Sequence, residues 1–269
     1  MIRLVAFDLD GTLMGDERKI HPHVQQAIFE ARERGVTVTL ATGRMFSALL
    51  PFARQLGIKA PTLAYQGGWI QRPDDEEPLY RIPLPRDPAE TTLSLAQEKG
   101  WHTVLYAGGR IYLQELRESP DFYRALLGSD FQLVDGWEVV LDGHQVDKVL
   151  FVADPPVIPA IGECLRARLH EQARVFRSHE RFIEVVPLGV DKGCGLAWLA
   201  DHLNVQRSAT MAVGDQENDI AMVEWAGVGV AMGNAVPAVQ AVADWIAPPL
   251  DEHGAAVALR RFVLEETQP

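Results

Sequence analysis

At both ends of this chain, strand-like and helix-like segments alternate strictly. In the middle they do not. The apolar run "IRLVAF" leads into "HPHVQQAIFEARERG", where Val24, Ala27, Ile28 and Ala31 recur at helical spacing ahead of Gly35 as a stop. "VTVTLATGR" reads as a strand, "MFSALLPFARQLG" as a helix bent or restarted at Pro51, and "PTLAYQGGWI" as a further strand. From Asp191 the rhythm resumes with helix "DKGCGLAWLADHLN", strand "SATMAVGD", helix "ENDIAMVEWAG", strand "VGVAMGN", helix "VPAVQAVA", strand "DWIA" and a closing helix. Such alternation predicts a parallel sheet with helices packed on it.

Between Pro83 and Pro187 the texture changes. "WHTVLYA", "RIYLQ", "FQLVD", "DKVLFVAD", "ARVFRS" and "RFIEVV" are strand-like, and helices are expected near Pro88, Pro120 and Pro155. The expected architecture is therefore α/β. A Rossmann-like parallel-sheet core is formed by residues 1–82 and 188–269, with an inserted α+β domain over residues 83–187. Gly108-Gly109 is a candidate flexible turn within the insert.

Bulk properties narrow the partners. Hydrophobic residues at 47% and charged residues at 23% are ordinary globular values, and a formal net charge of -12 argues against nucleic acid or an anionic membrane as a partner. A small anionic ligand remains compatible, given local positive charge. Cys164 and Cys194 form neither a metal-binding spacing nor a disulfide framework, which fits a reducing compartment. The first strand runs directly into acid, with no leader pattern, so a cytoplasmic location is expected. Residues 225–243 carry no charge, but Gly233-Asn234 and Pro237 break them into strand, loop and helix rather than a membrane span. The histidines, His21, His23, His102, His144, His170, His179, His202 and His253, show no ligand spacing and read as surface or core residues.

In an open parallel sheet, ligands sit beyond the carboxyl ends of the strands. Those ends carry an unusual set of groups here: Asp8 and Asp10 in "AFDLDGTL", Thr42 and Gly43 in "LATGR", and Asp215 with Asn218 and Asp219 in "GDQENDIAM". Lys192 joins them if "DKGCGL" opens the next crossover helix. Side chains two apart on a strand share a face, so Asp8 and Asp10 would bring like charges together. A hard divalent cation with oxygen ligands relieves that repulsion, and Mg²⁺ is the natural candidate.

"DLDGTL", "LATGR", "GVDKG" and "GDQENDIAM" occur in the order of the four motifs of the haloacid dehalogenase superfamily. The position of the insert resembles that of its Cof-type sugar-phosphatase branch with a type IIB cap. "FIEVVPLGVDKGCGLAWL" and "VAMGNAVPAVQAVA" are also similar to that branch, so the resemblance spans almost the whole chain. It implies a Mg²⁺-dependent phosphomonoester hydrolase acting on small phosphorylated metabolites, sugar phosphates foremost, through an aspartyl-phosphate. In that reading Asp8 is the nucleophile, with one oxygen on the metal and the other attacking phosphorus, and Asp10 is the acid/base, whose backbone carbonyl also meets the metal. Thr42, Gly43, Lys192 and Asn218 hold phosphate, and Asp215 binds the metal with Asp219 in support. Dehalogenases lack the second acid and P-type ATPases resemble "DKTGT", so "DLDGT" favours phosphomonoester hydrolysis or mutase chemistry. One departure stands out: Gln66-Gly67-Gly68 occupies a place where the branch usually has Asn-Gly.

Two other readings share these residues. A phosphomutase would need cap cations for a second phosphate, from among Arg110, Arg117, Arg124, Lys148, Arg177 and Arg181. A silent phosphometabolite-binding module would have no use for both Asp8 and Asp10.

Overall fold

The structure is a computed structural model that describes residues 1–15 and 17–265. The chain divides into two compact units. One comprises Met1–Gly43, Leu49–Tyr80 and Asp191–Pro269, and the other Arg44–Ala48 and Arg81–Val190.

The first unit is built on five parallel strands in the order Trp245–Ile246, Val228–Ala231, Thr210–Gly214, Leu4–Phe7, Thr37–Leu40. Leu4, Val5, Ala6 and Phe7 are all fully buried, as a continuous apolar run must be when helices cover both faces of a sheet. Leu4 pairs with Thr210 on one side and Thr37 on the other. The carboxyl ends at Phe7, Leu40 and Gly214 therefore open on one rim. Helix Pro22–Glu33 buries Val24, Ala27, Ile28 and Ala31, the stripe its spacing predicts.

Three local expectations need correction. "PTLAYQGGWI" is not one strand: Thr62–Ala64 ends in a tight turn, and Trp69–Gln71 returns antiparallel with Ala64 opposite Trp69. Tyr65 and Gln66 take left-handed φ values of 48° and 61° to make that turn. Helix Phe46–Gln55 runs through Pro51, which lies in its interior, so of the two forms expected there the restart does not occur. "VPAVQAVA" supplies a single helical turn, Pro237–Gln240. No described helix is long and apolar enough to cross a membrane.

The second unit carries a six-stranded sheet in the order Arg174–His179, Phe182–Val186, Val146–Val152, Thr103–Ala107, Arg110–Leu113, Gln132–Leu133, mostly antiparallel. Helices Arg86–Lys99 and Ile158–Leu169 bury Leu93, Ile161 and Leu165 in a core with Phe151, Ile183 and Val185. Gly108 and Gly109, with φ of 57° and 70°, form a two-residue hairpin turn that places Ala107 opposite Arg110. The sequence reading missed helix Glu138–Gly143, which is too short to show a period.

Candidate active site

Strand Leu4–Phe7 stops one residue before Asp8, so Asp8 and Asp10 lie in the loop beyond it rather than on one strand face. Asp8 is buried and Asp10 exposed. The like-charge conflict expected between them is real all the same, because Asp10 is among the charges that push the Asp8 carboxyl up. The neighbouring strand arrives alongside, with Ala41 N–H donating to Phe7 O at 2.8 Å. Thr42 and Gly43 follow at the same rim, and Thr42 N–H is held by Leu63 O at 2.9 Å.

Lys192 is the centre of the arrangement. It is the first residue of helix Lys192–His202, whose amino end is capped by the Asp191 carboxylate accepting from Cys194 N–H at 2.7 Å. Its side chain is completely buried, and Nζ donates to Asp8 Oδ1 and to Asp219 Oδ1, each at 2.5 Å. Burial opposes the ammonium charge, but the Asp219 and Asp8 carboxylates outweigh it and raise the Lys192 pKa.

Asp219 reaches this lysine from the turn after strand Thr210–Gly214. Its other oxygen accepts the N–H groups of Asp215 at 2.8 Å and Gln216 at 2.9 Å, which fixes the loop carrying Asp215. Thr12 Oγ1 donates to Asp215 Oδ1 at 2.9 Å and so links the loop after Asp8 to Asp215. Gly11 is required between them: at φ +87°, an added Cβ would lie 2.2 Å from Asp215 Oδ2. Asn234 steadies the same loop, donating to Gly11 O at 2.8 Å.

The carboxylates of Asp8, Asp215 and Asp219 each present an oxygen within 4.8 Å of the others. Three acids thus face one ammonium, a surplus of two negative charges in a buried place. The consequence is visible in their acidity. Burial first, then Asp219 and Asp215, hold the Asp8 carboxyl well above its ordinary range against the pull of Lys192. Burial first, then Asp219, pushes Asp215 up to about 7, with Thr12, Lys192 and Gln216 opposing. An all-oxygen donor set with two uncompensated charges fits a hard divalent cation. Asp219 already has three donors on its carboxylate, so Asp8 and Asp215 are the acids with capacity to spare.

Asn218 stands beside this cluster and is tied to Gln66, its Nδ2 donating to Gln66 Oε1 at 3.0 Å. Its own Oδ1 is buried with no partner. Gln66, the residue that departs from the expected Asn-Gly, thus positions Asn218. The left-handed turn at Gln66 is what aims it there. The sequence reading did not find Thr12 or Asn234 as supports.

The sequence pattern of haloacid dehalogenase-like hydrolases matches residues 5–259. The chain belongs to this family. Among the relatives of this hydrolase, the HMP-PP phosphatase of Cronobacter sakazakii is 32% identical over 249 residues, covering 88% of this chain and 86% of that protein. The 5-amino-6-(5-phospho-D-ribitylamino)uracil phosphatase of Bacillus subtilis is 28% identical over 277 residues, covering 96% and 97%. A crystal structure of a haloacid dehalogenase-like hydrolase from Bacteroides thetaiotaomicron superposes with a TM-score of 0.85 at 30% identity, covering 97% of this chain and 99% of the other. The family and fold implied by the four motifs are those found, and the two relatives just described are named phosphatases.

Proposed function

We propose that this hydrolase is a Mg²⁺-dependent phosphomonoesterase that transfers the phosphoryl group of a small metabolite, a sugar phosphate foremost, to Asp8 and then to water. The observation that carries this reading is the Asp8–Lys192 pair. It orients a carboxylate at a strand end while the surrounding acids leave room for two positive charges.

Asp8 and Asp215 would hold the cation. When bound, Mg²⁺ supplies positive charge against the phosphoryl oxygens as negative charge spreads over them. The free oxygen of Asp8 forms a bond to phosphorus as the ester oxygen leaves, taking a proton from Asp10. Asp10, now a carboxylate, accepts a proton from water. That water bonds to phosphorus, and the Asp8–phosphorus link breaks to release phosphate. Asp10 suits both steps, being exposed next to the buried nucleophile. Lys192, Thr42, Gly43 and Asn218 hold the phosphoryl oxygens. The Gln66–Asn218 amide pair can turn together and keep its hydrogen bond, which would replace the orphaned Asn218 Oδ1 with an N–H donor.

Asp219 serves this scheme as the second anchor of Lys192 and of the Asp215 loop. We assign recognition of the rest of the substrate to the second unit as a cap. Within that unit, Arg117 is engaged by Glu115, Arg124 by Asp121 and Asp130, Lys148 by Glu184, and Arg177 by a backbone carbonyl. Four of the six candidate cations are thus engaged locally, while Arg110 is exposed and Arg181 meets Asp154 only at 3.9 Å, so a bisphosphate requirement, not this pairing, separates hydrolysis from mutase chemistry. The named substrates of the relatives above are small phosphorylated compounds, which supports the same class here. Ranking phosphorylated sugars, nucleotides and cofactor precursors by kcat/KM with Mg²⁺ tests it. Hydrolysis without any bisphosphate requirement is the expected result, and a bisphosphate requirement would favour the mutase.

A further inference from the structure

Three histidines that the sequence scatters come together on the first unit. His21 precedes helix Pro22–Glu33, His23 is in its first turn, and His253 precedes helix Gly254–Leu259. The two helices pack on one another, so their amino ends bring the rings to one place. His21 and His253 stack with centroids 3.8 Å apart. His23 meets them edge-on at 4.9 Å and 5.2 Å. One ring nitrogen of each lies within 4.8 Å of the other two. His21 and His23 are at the surface, as expected, and helix packing rather than local spacing brings the three rings together.

His253 also occupies an awkward backbone position. Its φ of 60° and ψ of 39° are left-handed, a conformation that glycine or asparagine adopts more cheaply than histidine. The loop holds it there, with His253 N–H donating to Leu250 O at 3.0 Å and its carbonyl accepting from Ala256 N–H at 2.9 Å. Its ring is only partly exposed, while His21 and His23 are open to solvent. The site is distinct in chemistry from the carboxylate cluster, because imidazole suits late first-row cations and carboxylate suits Mg²⁺.

We propose that His21, His23 and His253 form a surface site for a late first-row divalent cation of the Zn²⁺ or Ni²⁺ class, with its remaining coordination positions open to water. Ligation needs the stacked His21 and His253 rings, 16° from parallel, to rotate apart so that their in-plane lone pairs converge, and the nitrogens to close in from the 4.8 Å limit within which they lie. The rings at exposed positions can make that movement. His21 Nδ1 now accepts a long hydrogen bond of 3.3 Å from His23 N–H. A neutral imidazole has one lone pair, so ligation by His21 gives up that bond. Once bound, the cation would join the segment ahead of the first helix to the loop ahead of the last.

The test uses the tag-free chain in excess Mg²⁺, so that the carboxylate cluster is already engaged. Zn²⁺ or Ni²⁺ binding is measured by equilibrium dialysis and by the shift in Tm. The variants His21→Asn, His23→Gln and His253→Asn are chosen to fold: asparagine is a good helix cap and tolerates the left-handed conformation. Wild type should bind one equivalent at micromolar concentration and gain several degrees in Tm. Each variant should bind at least tenfold more weakly, with aryl phosphate turnover in Mg²⁺ unchanged within twofold. Binding that is undetectable up to millimolar concentration, or equally tight in all three variants, overturns the site.

Discussion

Lys192 Nζ lies 2.5 Å from Asp8 Oδ1, and the same ammonium lies 2.5 Å from Asp219 Oδ1. One buried cation therefore joins the proposed nucleophile at the end of one strand to the turn that follows the next. Lys192→Met leaves both carboxylates buried without it. Turnover should fall at least ~100-fold, the scale seen when a preorganised charge donor is lost. Metal-free stability should fall by roughly 3–5 kcal/mol, more at pH 8 than at pH 5, where the acids can protonate instead. Urea unfolding at the two pH values checks the second part.

Asp215 gives a pH signature in the metal-free protein. Its pKa is raised from 3.8 to about 7, so between those values the folded state holds a proton that the unfolded chain has lost. The stability it contributes is fully present below pH ~4 and is lost as pH rises through about 7. Asp215→Asn removes that dependence. In EDTA, the unfolding free energy of wild type minus variant should decline from pH 5 to pH 8, by at most roughly 3 kcal/mol. A difference that does not change with pH contradicts this environment for Asp215.

Mg²⁺ must displace the protons that this crowding retains. The Tm increase on adding Mg²⁺ should be larger at pH 8 than at pH 5.5, with proton uptake by the buffer on binding near pH 7. Gly11→Ala should diminish the increase, because its Cβ would fall on the Asp215 carboxylate. A Mg²⁺-dependent Tm shift as large in Gly11→Ala as in wild type would show that Asp215 is not a ligand.

The amide pair can be tested without disturbing the fold. Gln66 sits at φ 61°, where glycine is at ease, so Gln66→Gly keeps the turn and removes the hold on Asn218. We expect about a tenfold loss in kcat/KM, the worth of roughly one hydrogen bond to a charged group. Tm should change by only a few degrees. Unchanged kinetics would reduce Gln66 to a turn residue.

The parts of the site that the sequence made legible are those fixed by strand ends. Asp8, Asp215 and Lys192 each sit at the close of a strand or the opening of a crossover helix, so apolar periodicity alone placed them near one rim. What it could not show depends on side chains meeting across loops. Thr12 reaches Asp215 and Gln66 reaches Asn218 only after turns with left-handed residues have formed. The hairpin at residues 62–71 looks like one strand in the sequence because both arms are apolar and the reversal takes only a few residues. The histidine trio was invisible for a related reason, since its members are joined by the packing of the first helix on the last.

The central claim is that a bond forms between Asp8 and phosphorus. An aryl phosphate with a good leaving group makes breakdown of that link the slow step, so the phosphorylated enzyme should accumulate before an acid quench. Borohydride reduction of the quenched protein converts an aspartyl-phosphate to homoserine, which peptide mass mapping locates. The account predicts homoserine at position 8, dependent on both substrate and Mg²⁺ and absent from Asp8→Asn. Rapid turnover with residue 8 unmodified, or modification at a different acid, would contradict it.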